Sequence, residues 1–211
     1  MTTVKNGFFI SLEGGEGAGK STQHQRIVEW LTSQGKTVVE AREPGGTPVS
    51  EQIRQVLLDT RNAGLNATAE LLLMFAARSQ LVQEVILPAL ADGHVIVCDR
   101  FADASYAYQG GGRQLGAETV AKVEQLVLKG LQPDLTLLFD IPVEQGMTRV
   151  AGRGAADRFE VESVLFFERV RDAYLERAAA NPQRFRVIDA NQDQEQVWQQ
   201  VENVLKAGLG L

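Results

Sequence analysis

Eight residues near the start of the chain, Gly14-Gly15-Glu16-Gly17-Ala18-Gly19-Lys20-Ser21, carry the spacing G-x-x-x-x-G-K-[ST], with Thr22 next in line. An apolar run at 8–12 precedes them and predicts a buried strand. Ile27, Val28 and Leu31 follow at helical spacing and predict a helix. Glycines at 14, 15, 17 and 19 let the backbone curl with its N–H groups inward and a helix N-terminus behind them, a nest for phosphate. In such a loop Lys20 reaches β- and γ-phosphates and the Ser21 hydroxyl holds Mg²⁺. A dinucleotide-binding G-x-G-x-x-G starting at Gly15 needs glycine at position 20, where Lys20 stands. The alternative is a glycine-rich turn that binds nothing, and the flanking strand and helix count against it. The stretch predicts a nucleoside triphosphate site.

Strand patterns recur at 36–41, 95–98, 135–139 and 185–188. Helical patterns lie at 49–58, 67–90, 120–128, 143–150 and about 160–180, and Val197, Trp198, Val201, Val204 and Leu205 mark a closing helix. Alternating strands and helices predict an α/β fold with a parallel sheet covered on both faces. Ligands in such sheets bind at the carboxyl ends of the strands. The phosphate loop, Arg42-Glu43, Asp99-Arg100 and Asp140 all follow strands and converge on that edge. With no linker, repeat or low-complexity tract, residues 1–211 read as one domain.

The net charge of −6 argues against a nucleic-acid or membrane surface, and no apolar run approaches membrane-spanning length. Cys98 is the single cysteine, which excludes an internal disulfide, suits a reducing cytoplasm and reads as a buried, inert thiol. Fifteen arginines stand against six lysines, eight of the arginines between Arg149 and Arg186. Arginine offers phosphate a planar fork, so an arginine-dense segment beside a phosphate loop predicts small phosphorylated ligands.

Arg42, Arg54, Arg78 and Arg100 exceed what one triphosphate on a lysine requires, and a second phosphorylated ligand explains them economically. Arg78 falls within the apolar stripe of Leu71, Met74, Phe75, Leu81, Val82, Val85 and Ile86. Asp99 at a strand end either holds Mg²⁺ through water or caps a helix. Downstream, Tyr108-Gln109-Gly110-Gly111-Gly112-Arg113 places an aromatic and an amide beside a flexible turn. Gln109 offers both a donor and an acceptor, as a pyrimidine edge requires.

Taken in order, Glu13-Gly14 to Thr22, Arg42-Glu43-Pro44-Gly45-Gly46-Thr47, Ala76-Ala77-Arg78, Asp99-Arg100-Phe101, Ala107-Tyr108-Gln109-Gly110, Asp157-Arg158-Phe159-Glu160 and Ile188-Asp189-Ala190 resemble the bacterial thymidylate kinases over nearly the whole chain. The resemblance implies the P-loop nucleoside-monophosphate-kinase fold with a five-stranded parallel sheet, often a homodimer. It implies phosphoryl transfer from ATP, with Mg²⁺, to dTMP. By position, Arg54 and Arg100 would grip the dTMP phosphate with Arg42, Glu43 and Pro44 nearby. Arg78 would bond thymine O4 and Gln109 its N3 side. Ser105 would contact the base or phosphate region, Tyr108 would pack on the deoxyribose, and Glu16 would lie near the sugar hydroxyl and metal. Where the family usually stacks an aromatic on thymine, this chain has Met74 with Phe75 beside it, and either could cover the base.

The loop interior, Gly15-Glu16-Gly17-Ala18, contains no arginine, so the chain resembles the class that carries its catalytic arginine in a lid at about 149–160. Arg149, Arg153 and Arg158 are the candidates, with Arg153 and Arg149 four residues apart. Two other readings stay open: a P-loop kinase for another small nucleotide or nucleoside, and a P-loop NTPase switch. The switch would want N-K-x-D, but Asn191-Gln192-Asp193-Gln194 lacks the lysine.

Overall fold

The computed structural model describes residues 6–151 and 157–210. Five parallel strands form one sheet in the order β2-β3-β1-β4-β5. They are β1 (Phe8–Gly14), β2 (Val38–Arg42), β3 (Val95–Asp99), β4 (Leu135–Asp140) and β5 (Phe185–Asp189). The three central strands read as continuous apolar runs because both sheet faces are covered. On one face, Ile10, Leu12, Val97 and Leu137 pack with Ile27 and Leu31 of α1 (Lys20–Ser33) and with Val197, Val201 and Leu205 of α9 (Gln194–Leu209). On the other, Phe9, Ile96 and Cys98 meet Leu81, Val82, Ile86 and Leu128. The Cys98 thiol is buried, and burial pushes its pKa well up, in keeping with an inert side chain.

The remaining helices are α2 (Pro48–Leu58), α3 (Ala67–Leu81), α4 (Leu87–Ala91), α5 (Ala102–Ser105), α6 (Ala117–Leu128), α7 (Val143–Val150) and α8 (Val164–Ala180). The helix predicted over 67–90 is not uniform: a wide π turn, Val82–Ile86, joins α3 to α4. Pro88 lacks an N–H and its ring crowds the carbonyl four residues back, and a wider turn relieves both problems. By length and hydropathy Ala67–Ala91 could cross a membrane. Here, however, it carries Glu70 and Arg78 in buried ion pairs against neighbouring segments.

The segment predicted as a flexible turn is helical. A π segment, Tyr106–Gly112, continues directly from α5. Its glycines serve close packing: a Cβ on Gly111 would lie 2.7 Å from the Cβ of Ala173, and one on Gly112 would lie 2.5 Å from the ring of Phe166. Helix α8 can therefore lie directly against the wide turn that carries Tyr108 and Gln109.

Beneath that turn runs a buried polar layer. Arg184 and Arg177 both pair with Asp103, at 2.7 and 2.8 Å. Arg184 also donates to the Thr136 hydroxyl, which is 3.0 Å from that of Ser11. Glu13, at the end of β1, accepts from the Phe101 N–H and is bonded to the Tyr174 hydroxyl, each at 2.8 Å. Burial first, then the Asp103 charge, push the Glu13 carboxyl up to about 8, against the lowering effect of Tyr174, Arg100 and the Phe101 N–H. The unfolded chain sheds this proton near the ordinary carboxylate value while the folded chain keeps it. The stabilising contribution of Glu13 is therefore full at low pH and is lost as pH rises through the folded value. Thermal melts should show wild-type stability falling between about pH 5 and about pH 9, and Glu13→Gln should flatten that fall. Parallel losses in both proteins would remove Glu13 as the cause.

Candidate active site

A cleft of about 360 Å³ opens at the carboxyl ends of the strands. One end is the phosphate loop. Glu16, Gly17, Ala18, Gly19, Lys20, Ser21 and Thr22 line it, while Gly14 and Gly15 form the strand end behind. Helix α1 begins at Gly19 (φ 80°) with no side chain capping its first turn, which leaves its N-terminal N–H groups for an anion. Gly17 (φ 71°) is required by contact as well as conformation: a Cβ there would lie 2.1 Å from the Gly146 carbonyl of α7. The loop thus rests on the helix that leads toward residues 149–160. The Lys20 ammonium donates to the carbonyls of Gly14 (3.0 Å) and Gly15 (2.9 Å). Burial, then Arg100, push it down to about 8.

Arg100 adopts a left-handed backbone (φ 66°) and joins the phosphate loop to Tyr108. Its guanidinium donates to the Gly14 carbonyl at 3.0 Å and to Glu16 Oε1 at 2.6 Å, and lies 4.8 Å from the Tyr108 ring centroid. The Tyr108 hydroxyl donates to the same Glu16 oxygen at 2.9 Å. Burial raises the Glu16 carboxyl, but Arg100, Lys20 and these hydrogen bonds outweigh it and hold it below its usual range. Asp99 lines the cleft with one carboxylate oxygen buried and without a hydrogen-bond partner among the described residues. The alternative role as a helix cap is excluded, because α5 is preceded by Phe101 with no side-chain cap.

Across from the loop, Arg42, Glu43, Pro44 and Arg54 line the opposite wall. Arg54 donates to the Pro44 carbonyl at 2.7 Å. Burial first, then neighbouring Arg42, pull its guanidinium below its ordinary value, a strain on the positive charge that an anion would relieve. Glu51, which sequence reasoning did not single out, clamps this wall by accepting from Arg42 (2.8 Å) and from the Gly46 N–H (2.6 Å).

The floor is built around Arg78, 2% exposed. It pairs with Glu43 at 2.6 Å and donates to the Ser105 hydroxyl (3.0 Å) and the Phe101 carbonyl (3.1 Å). Nη1 retains a second N–H. Burial raises the Glu43 carboxyl despite Arg78 beside it. Ser105, Tyr108 and Gln109 line the same floor, as does Met74. Phe75 does not: it lies in the core with Leu71, Tyr106 and Val120, its ring 4.4 Å beneath the Arg78 guanidinium. A regular α-helix turns about 100° per residue, which here carries Met74 to the cleft and Phe75 into the core. Leu58, Ala104, Val150, Asp157, Phe159 and Glu160 complete the lining, none of them assigned a role in the sequence reading.

The lid arginines divide. Arg149 is outside the cleft lining and donates to the Ala190 carbonyl at 3.0 Å. Arg158 is 4% exposed and paired with Glu70 at 2.7 Å, which corrects its candidacy for the phosphates. Arg153 lies outside the described residues. Most of the arginine-dense segment is structural, another correction: Arg171 pairs with Asp140, Arg177 and Arg184 pair with Asp103, and Arg169 donates to the Gly112 carbonyl.

The family model for thymidylate kinase matches residues 12–201. Thymidylate kinase of Ectopseudomonas mendocina is 56% identical over 203 residues, covering 96% of this chain and 97% of that one. Thymidylate kinase of Pseudomonas syringae pv. tomato is 54% identical over 205 residues, covering 97% and 98%. Among solved structures, thymidylate kinase from Ehrlichia chaffeensis superposes with a TM-score of 0.77 at 32% identity, over 95% of this chain and 98% of that one. By this match over nearly its whole length and these identities, the chain belongs to the thymidylate kinase family.

Proposed function

We infer that this protein transfers the γ-phosphate of ATP to dTMP, giving dTDP and ADP in the synthesis of dTTP. The observation that carries the reading is one cleft with two anion-binding ends, Lys20 on one side and Arg54 on the other, above a polar floor of Arg78 and Gln109. The phosphate of dTMP lies at Arg54 and Arg42. One of its oxygens attacks the γ-phosphorus while the bond to the β,γ-bridging oxygen breaks, and the electron pair leaves with ADP. Lys20 and Arg100 neutralise charge on the transferring group. Arg78 donates to thymine O4, Met74 covers the ring, and Tyr108, fixed by Glu16, packs against the deoxyribose where a 2′-hydroxyl would crowd it.

Ser21 and the unpartnered carboxylate oxygen of Asp99 share the cleft and suit Mg²⁺, a hard cation that takes oxygen ligands. Bound there, Mg²⁺ supplies charge neutralisation at the β- and γ-phosphates. The reaction belongs in the cytoplasm, a compartment compatible with the reduced Cys98. The occupant of the outer helical face is a second copy of this chain: Val49 and Val56 of α2, Leu72 of α3 and Leu126 of α6 are all exposed there, and α3 packs against both other helices. Sedimentation should give a dimer for wild type and a monomer for Leu72→Glu; a monomeric wild type ends that proposal.

An acceptor panel with Mg-ATP tests the function, and preference for another nucleotide or a nucleoside would favour the alternative kinase. Lys20→Met should abolish transfer yet leave dTMP binding largely intact by calorimetry, because Lys20 serves the ATP phosphates. Collapse of both would merge the two proposed sites. With Arg149 and Arg158 held elsewhere, the arginine finger falls to Arg153. Such fingers contribute about 10³–10⁵ in kcat in P-loop enzymes. Steady-state kinetics of Arg153→Ala should show kcat lowered at least about tenfold with little change in KM for dTMP. Near wild-type kcat would place the chemistry outside the lid.

A further inference from the structure

Glu70 lies in the first turn of α3 with no exposed surface, and it is not among the residues lining the cleft. Two donors and a further guanidinium converge on its carboxylate. Gln109 Nε2 donates to Oε1 at 2.8 Å, Arg113 Nε lies 3.1 Å from Oε2, and Arg158 is paired with Oε2 at 2.7 Å. Both arginines are themselves fixed: Arg113 also bonds Glu162, and Arg158 donates to the Leu57 carbonyl at 2.7 Å. The carboxylate is thereby held in one orientation by partners on two other segments, the π segment with its terminal Arg113 and the stretch around Arg158.

A side-chain amide can turn over, exchanging its donor and acceptor, at almost no steric cost. Against a carboxylate it cannot, because a carboxylate between two guanidinium groups accepts only. Gln109 must present its NH₂ to Glu70. Its Oε1, which has no partner among the described residues, is left on the cleft side of a residue that lines the floor. We propose that Glu70 is a specificity-positioning residue: by fixing the Gln109 amide, it makes the floor an acceptor for a pyrimidine that carries a proton on N3, and excludes one whose N3 is a lone pair. The proposal rests on dTMP as the acceptor. A cytosine ring would set N3 against Gln109 Oε1 and its amino group against the Arg78 donor, leaving buried polar groups unpaired. Hydrogen-bonding sites reject such ligands by large factors, whereas sites of shape alone do not.

The test is a swap across the pair, with kcat/KM measured for dTMP and dCMP and KM for ATP, each protein checked for folding by thermal melt. Glu70→Gln lets the facing amide donate as well as accept, so Gln109 can turn over. The dTMP-over-dCMP preference should fall at least about tenfold, through KM for the acceptor, with KM for ATP unchanged. Gln109→Glu alone sets two carboxylates face to face and should lose dTMP use. The double variant, Glu70→Gln with Gln109→Glu, restores one donor facing an acceptor and keeps an acceptor toward the base, so it should recover kcat/KM for dTMP at least about tenfold over Gln109→Glu. A merely structural Glu70 predicts no such recovery, and the comparison holds even where Glu70→Gln alone fails to fold. A folded Glu70→Gln with undiminished preference, or a double variant without recovery, overturns the proposal. A wild-type protein that does not phosphorylate dTMP overturns the functional reading itself and this proposal with it.

Discussion

The guanidinium of Arg100 is the joint on which the site depends. It reaches the Gly14 carbonyl, Glu16 and, through Glu16, the Tyr108 hydroxyl, so the phosphate loop and the π segment are braced by one side chain. The geometry requires an unusual backbone, φ 66° at a bulky residue, which costs on the order of 1–3 kcal/mol. Neighbouring contacts hold it there: the Arg100 N–H donates to the Leu12 carbonyl, and the next residue's N–H donates to Glu13. A loop that must bind charged phosphates gains from this arrangement, because its reach is set before any ligand arrives.

Around that joint the charges sort into two kinds. Arg177 and Arg184 on Asp103, Arg78 on Glu43, and Arg113 and Arg158 on Glu70 are buried pairs that fix where segments sit. Removing one partner of such a pair leaves a buried charge and costs about 3–5 kcal/mol, even where the intact pair adds little net stability. Arg54 is different: its bonded partner is a carbonyl, and Arg42 repels it. A cation so placed in a cleft is the kind of group that an anionic ligand would stabilise.

Much of this was legible in the sequence, and the limits have physical causes. The central strands were visible because buried parallel strands are unbroken apolar runs, and the phosphate loop was visible because close backbone curvature demands glycine. Arg78 announced itself by standing in an apolar stripe. The π segment was hidden because three glycines read as a turn, whereas Gly111 and Gly112 are there to admit α8. Met74 and Phe75 could be separated only by the observed rotation of α3. The role of Arg158 was hidden by composition: an arginine in a glycine-bounded segment reads as mobile, yet its partner Glu70 stands 88 positions earlier in the chain.

That distant pairing ties the floor to residues 158 and 162 through a chain of polar contacts. Glu70 bonds Gln109 in the π segment, Arg113 just beyond it, and Arg158 at the far side of residues 149–160. Arg113 in turn bonds Glu162, just ahead of α8, and α8 packs on the π segment through the glycine contacts. On the other side, the Gly17–Gly146 contact seats the phosphate loop on α7, which leads into the same stretch. The two ends that flank residues 152–156 are therefore each tied to the cleft, α7 to the phosphate loop through Gly146 and Arg158 to Gln109 through Glu70.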